Sequence, residues 1–248
     1  MIERTIDDGI LTLRLAHKKA NALDIELLEA LLRELNDTND AVRAVVLTGT
    51  GSIFCAGVDL IRLTQEGPPY VQRFLPLLSR TLRALFAFPK PIVAATNGHA
   101  IAGGCILVLG CDVRLMAEGN GKIGVTELLV GVPFPSAALE TVRFAIPQDK
   151  LQQLVYSGRT LGPAEARVNG FIDEVAAPAD LLPRAQTIAR QLAAVPAEAY
   201  RLTKQYLRAE SLARIDAGKD NDAAALAVWS SLQVHARIRE YMARTVKQ

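Results

Sequence analysis

The sequence predicts an α/β fold with crossover connections, and three observations carry that expectation. Short, wholly apolar runs at Ala44–Leu47 and Pro91–Thr96 have the composition of buried strands. Between and around them lie stretches with apolar residues at helical spacing, and strand, helix, strand in succession implies a parallel sheet with crossovers. From Ala179 onward the pattern changes to helices alone.

The elements follow in order. Ile2–Ile6 and the alternating Ile10–Leu15 flank Asp7-Asp8-Gly9, which predicts a hairpin. After the loop His17-Lys18-Lys19-Ala20-Asn21, Asp24 is placed to cap a helix whose face carries Ile25, Leu28, Leu31, Leu32 and Leu35. The two buried strands are each expected to run directly into a glycine-rich turn, Phe54-Cys55-Ala56-Gly57-Val58-Asp59 and Asn97-Gly98-His99-Ala100-Ile101-Ala102-Gly103-Gly104-Cys105. Val71–Phe86 is helical in pattern, with a kink or a late start expected at Pro76. Val113–Met116 and Ile123–Val125 read as further short strands, and a helix is expected at Ala137. In the tail, Pro183, Pro196 and Asp216–Asp220 are expected to break the helices. Asn221 and Asp222 are expected to start one running through Trp229, and the mixed-charge stretch Arg237–Lys247 ends it.

Composition narrows the function. The 248 residues are 50% hydrophobic, enough for a full core, and their formal charge is only +2 with no basic stripe. Nucleic acid is therefore not expected as a partner. Cys55, Cys105 and Cys111 show no paired spacing, so they read as free thiols, with no structural zinc site. The start lacks the profile of a signal peptide and the run Ala100–Cys111 is too short to span a bilayer; the expectation is a cytoplasmic protein with no membrane partner. Gly49-Thr50-Gly51 does not extend to a dinucleotide fingerprint, because Phe54 stands where its third glycine belongs.

Two small-residue turns followed by a lone acid, Glu127, suggest backbone N–H donors gathered opposite a base. An ionisable group among Val125, Leu128, Leu129 and Val130 is expected to have a raised pKa suited to moving protons. Val132-Pro133-Phe134-Pro135 reads as a rigid apolar wall, whereas Trp229 and Tyr241 read as packing residues. His99 and Cys105 read as structural.

The two turns and the upstream segment His17-Lys18-Lys19-Ala20-Asn21-Ala22-Leu23 resemble, in order and spacing, the three signatures of the crotonase (enoyl-CoA hydratase/isomerase) superfamily, over essentially the whole chain. The resemblance implies a spiral ββα core, 1–195, with two sheets, and a C-terminal helical trimerisation or lid region, 196–248, in a homotrimer or hexamer. It implies that the backbone N–H groups of Val58 and Gly103 hold the carbonyl oxygen of an acyl-CoA thioester, with a helix beginning at Gly104. It places Lys18, Ala20, Ala56 and Leu60 around adenine and pantetheine, and Asp59 and Pro133 on the substrate side. Coenzyme A enters as the substrate thioester, with no separate cofactor and no metal.

Hydratases of this family carry two glutamates; here the earlier position is Ile106 and only Glu127 remains. Shifting a double bond from the 3 to the 2 position needs one base, so the resemblance is closer to the Δ3,Δ2-enoyl-CoA isomerases. The alternatives are a hydratase that works with Glu127 alone and a non-catalytic acyl-CoA binder.

Overall fold

The computed structural model describes residues 1–245, so the terminal Lys247 lies outside the described residues. Strands β1 (Ile2–Asp7) and β2 (Ile10–Leu15) pair antiparallel, with Asp7 opposite Ile10. Asp8 and Gly9 make the two-residue turn with φ of 44° and 73°, the paired positive values that a tight hairpin requires. Helix α1 (Ile25–Asn36) follows, and Asp24 caps it by accepting the Leu27 N–H at 2.9 Å.

The next elements alternate between two sheets. Strand β3 (Ala44–Thr48) joins the first sheet and β4 (Ile53–Cys55) the second; α2 (Leu60–Glu66) and α3 (Pro68–Phe86) then lead to β5 (Ile92–Thr96) and β6 (His99–Ile101). After α4 (Gly103–Leu109), the pattern repeats with β7 (Val113–Ala117) and β8 (Ile123–Gly124). Helices α5 (Glu127–Val130), α6 (Ser136–Ala145), α7 (Gln148–Ser157) and α8 (Pro163–Val168) precede β9 (Glu174–Ala176), α9 (Leu181–Ala193) and the tail helices α10 (Ala197–Ala217), α11 (Lys219–Trp229) and α12 (Leu232–Thr245).

The large sheet has the order β1-β2-β3-β5-β7-β9 and is parallel from β2 onward; the small one is β4-β6-β8, all parallel. Successive residues of the large sheet bury opposite faces. Leu11, Leu13, Val45, Leu47 and Ile92 join the main core, whereas Ile10, Val46, Val93, Ala95 and Leu115 pack against Leu181, Ala185 and Ala189 of α9. Burial on both faces explains why these strands read as unbroken apolar runs.

The structure corrects several expectations. The buried strands β3 and β5 do not enter the glycine turns directly; each first feeds a short strand of the small sheet, β4 or β6, too brief to show a period of its own. Helix α3 starts earlier than expected, with Pro68 and Pro69 in its first turn, and runs through Pro76. Pro76 and Gln72, whose carbonyl loses its partner there, both face solvent. Pro183 does not break α9 because it lies in the first turn, where N–H groups have no intrahelical acceptor. Strand β8 ends at Gly124 rather than Val125, α6 starts at Ser136, and α11 starts at Lys219 with Asn221 and Asp222 inside its first turn.

The tail is bolted on through a buried charge cluster. Asp112 accepts from Lys204 Nζ (2.7 Å), Arg208 (2.8 Å) and the Ile92 N–H (2.8 Å), while Arg208 stacks 4.4 Å from the Phe86 ring centroid. Burial pushes the Lys204 amine down to about 8 despite Asp112. Asp112→Asn leaves two buried cations without a counter-charge and should lower the unfolding free energy by about 3 kcal/mol. Urea titration followed by circular dichroism measures it.

Candidate active site

Three successive turns of the spiral end at one cavity. Parallel strands β4, β6 and β8 lie side by side, with Cys55 opposite Ala100 and Ile101 opposite Gly124, so their C-terminal ends share an edge. The segments leaving that edge deliver Ala56 and Val58, Ala102 and Gly103, and Thr126 and Glu127 to the same lining. The carboxyl ends of parallel strands are the usual place for ligands in such sheets.

Close backbone approach holds the first two segments together. A Cβ on Gly104 would lie 2.2 Å from the Cys55 carbonyl oxygen, and one on Gly57 would lie 2.7 Å from that of Ile101. Gly57 also adopts φ +84°, a region that favours glycine. Leu23 then fixes which way Val58 faces: its N–H donates to the Gly57 carbonyl (2.7 Å) and its own carbonyl accepts the Asp59 N–H (3.0 Å). Bridged on both flanks in this way, Val58 turns its own N–H away from Leu23. Gly103 opens α4, one residue earlier than expected, and as the first helical residue its N–H has no intrahelical acceptor. The neighbouring Ala102 N–H is already donated to the Gly124 carbonyl at 2.8 Å.

Glu127 opens α5 from the third segment and is only 6% exposed. Its Oε2 is buried with no hydrogen-bond partner. Burial pushes the carboxyl up to about 8, partly offset by the backbone N–H groups of Glu127 and Thr126. Ile106 of α4 lines the same cavity, and among the described residues Glu127 is the one acid of the lining. The space enclosed is about 110 Å³ and its walls are chiefly apolar.

The remaining sequence-predicted residues fall in two groups. Ala56 and Leu60 line the cavity. Lys18, Ala20 and Asp59 lie beside it: the Ala20 carbonyl accepts the Ala56 N–H at 3.1 Å, and Lys18 Nζ reaches Asp24 (2.8 Å) and Asp59 (3.4 Å). Asp59 caps α2 through the Arg62 N–H at 3.0 Å. Burial pushes the Asp24 carboxyl up, yet hydrogen bonds from Lys18, His17 and the Leu27 N–H outweigh it and hold Asp24 below its ordinary value. Of the apolar wall, Val132 and Pro135 face the cavity, while Pro133 lends its carbonyl to Trp229 Nε1 at 2.8 Å.

Trp229 and Tyr241, expected as packing residues, both line the cavity, from α11 and α12. Trp229 is the sole tryptophan of the chain, set among alanines, and that isolation was the available signal. Nothing local distinguishes Tyr241, whose place depends on how the tail folds back. His99 pairs with Ile53 on β6 and Cys105 is wholly buried; neither lines the cavity. Burial, reinforced by the nearby Glu127 charge, holds the Cys105 thiol far above its ordinary value and therefore protonated. Cys55 and Cys111 are likewise free, buried thiols pushed up to about 12.

A spiral of alternating strands that brings two exposed backbone turns and one buried acid to a single apolar cavity defines an acyl-thioester enzyme of the crotonase fold. The enoyl-CoA hydratase/isomerase family model matches residues 5–245, and the chain belongs to that family, within the crotonase superfamily. A putative enoyl-CoA hydratase of Thermus thermophilus is 36% identical over 197 residues, covering 77% of each chain. Among solved structures, an apo enoyl-CoA isomerase of Mycobacterium tuberculosis superposes with a TM-score of 0.82 at 33% identity, over 90% of this chain and 97% of that one. The human mitochondrial Δ3-Δ2-enoyl-CoA isomerase shares the fold with a TM-score of 0.94 at 24% identity, over 99% and 98%. Among the described residues, no helix is long and apolar enough to cross a membrane.

The raised Glu127 pKa carries a signed consequence for stability. Between its ordinary 4.5 and about 8, the folded state binds more protons than the unfolded one, so stability falls as pH rises through that window. Glu127→Gln removes this titration. Its melting temperature should gain on the wild type steadily from pH 4.5 to about 8 and hold a constant lead above, as read by thermal denaturation across pH.

Proposed function

We propose that the protein is an enoyl-CoA isomerase that moves the double bond of a 3-enoyl-CoA into conjugation with the thioester. The single observation that carries this reading is the cavity lining, in which Glu127 faces apolar Ile106 instead of a second carboxylate. Hydration needs a water held, deprotonated and its second proton returned to carbon. Isomerisation needs one base that works twice.

In this reading Glu127 takes a proton from C2, and the electron pair moves into a dienolate whose charge gathers on the thioester oxygen. The Val58 and Gly103 N–H groups receive that oxygen, each donor being worth about 3 kcal/mol in the barrier. Glu127 then returns the proton to C4, and the charge withdraws from the oxygen as the conjugated product forms. A carboxyl near 8 suits both halves, because proton transfer in each direction is then close to balanced at neutral pH. The apolar lining keeps water from the dienolate.

Several neighbouring roles belong to the same proposal. Lys18, Ala20, Ala56, Asp59 and Leu60 border the coenzyme A moiety as the substrate enters, and Pro133 supports the acyl wall. The working form is a homotrimer or hexamer in the cytoplasm, a reading supported by exposed Leu129, Tyr156 and Val168 on α5, α7 and α8. A hydratase is the second reading: relatives such as that of Thermus thermophilus carry that description, and the Thr126 residue in the lining adds a hydroxyl beside Glu127.

Purified protein given a 3-enoyl-CoA should raise the conjugated-enoyl absorbance, and Glu127→Gln should lower that rate about a thousandfold while acyl-CoA still binds. The wild-type kcat/KM should climb with pH to a plateau above about 8, because the base must be ionised to start. Rapid loss of absorbance with 2-enoyl-CoA would overturn the reading in favour of hydration. Ile106→Glu should gain hydration that the wild type lacks.

A further inference from the structure

We infer that Trp229 is the end wall of the acyl pocket and restricts the enzyme to short acyl chains, of about the hexenoyl length. The inference rests on the reading of the cavity as an acyl-CoA site and deepens it to a substrate class.

Volume comes first. A protein cavity of roughly 150 Å³ accommodates one benzene ring, so by proportion about 110 Å³ accommodates on the order of four carbons. Added to a thioester carbonyl and its neighbour at the Val58 and Gly103 turns, that space is filled by a six-carbon acyl group. A longer chain requires a wall to move.

The walls differ in whether they can move. Leu78 of α3 and Ala138 of α6 belong to helices packed into the main core. Trp229 is the largest side chain of the lining, and it is 2% exposed. Its indole is held from two sides. Nε1 donates to the Pro133 carbonyl at 2.8 Å, within the segment that follows the catalytic acid, and the Trp229 carbonyl lies 3.0 Å from Nε2 of buried His235 on α12. Swinging the indole aside would break the Nε1 bond and strand a buried donor and a carbonyl. Trp229 is accordingly a fixed stop, whereas a leucine or methionine there would yield.

Saturated acyl-CoAs from butanoyl to dodecanoyl test the stop without any dependence on turnover, by calorimetric or competition binding to the full-length protein. Wild-type affinity should rise to hexanoyl and then fall by about a hundredfold by decanoyl, since one misfit methylene already costs roughly tenfold. Trp229→Ala should restore decanoyl binding by at least about tenfold relative to hexanoyl. Trp229→Leu, which keeps an apolar filler, carries the same test if the alanine variant fails to fold by circular dichroism. Wild-type affinity that keeps rising through decanoyl, or a folded variant that keeps the original cut-off, overturns the proposal. A cut-off at hexanoyl without any 3-enoyl turnover would sink the isomerase reading alone, and no binding at any length would sink both.

Discussion

The site depends on one constraint: backbones of consecutive spiral turns must touch. Gly104 sits so close to the Cys55 carbonyl that no side chain fits between them, and Gly57 lies as near to Ile101. Because strands β4, β6 and β8 are pinned in parallel register, this contact aligns the ends of the first two, and the third brings Glu127 to the same edge. The loop bearing Lys18, Ala20 and Leu23 is then stitched onto the first turn by three backbone hydrogen bonds. Positioning is thus a property of main chain, and the side chains of Val58 and Ala102 are free to serve as apolar lining.

The same packing sets the electrostatics. An acid surrounded by Ile106, Val130 and Val132 loses its hydration, and with no cation in the lining its neutral form is favoured. Burial that costs stability at neutral pH is the property that makes the group a usable base. The contrast with Asp24 is instructive. Also buried, it is held by Lys18, His17 and a helix N-terminus, stays ionised, and serves as a structural hub.

Much of this was legible from residue order. Asp24 announced its helix, Asp8-Gly9 its hairpin, and Glu127 stood out as an acid within an apolar run. The small sheet was not legible, because β4, β6 and β8 span only two or three residues each and their pairing is set by the glycine contacts between distant segments. Nor was the early start of α3, where two prolines open a helix that a third appeared to delay. Trp229 and Tyr241 were visible as apolar residues at helical spacing. Their shared destination depends on the tail folding back over α3 and α6, which local pattern does not encode.

The bond between the Trp229 indole and the Pro133 carbonyl has a consequence for how the molecule matures. Every other part of the cavity except Tyr241 is encoded before Ala145, so a growing chain assembles its donor turns and its acid well ahead of α11. Until that last segment arrives from the ribosome, the carboxylate stands in an open, hydrated cleft with an ordinary proton affinity. Catalytic competence is conferred by the final helices, and the nascent protein is chemically quiet until they dock.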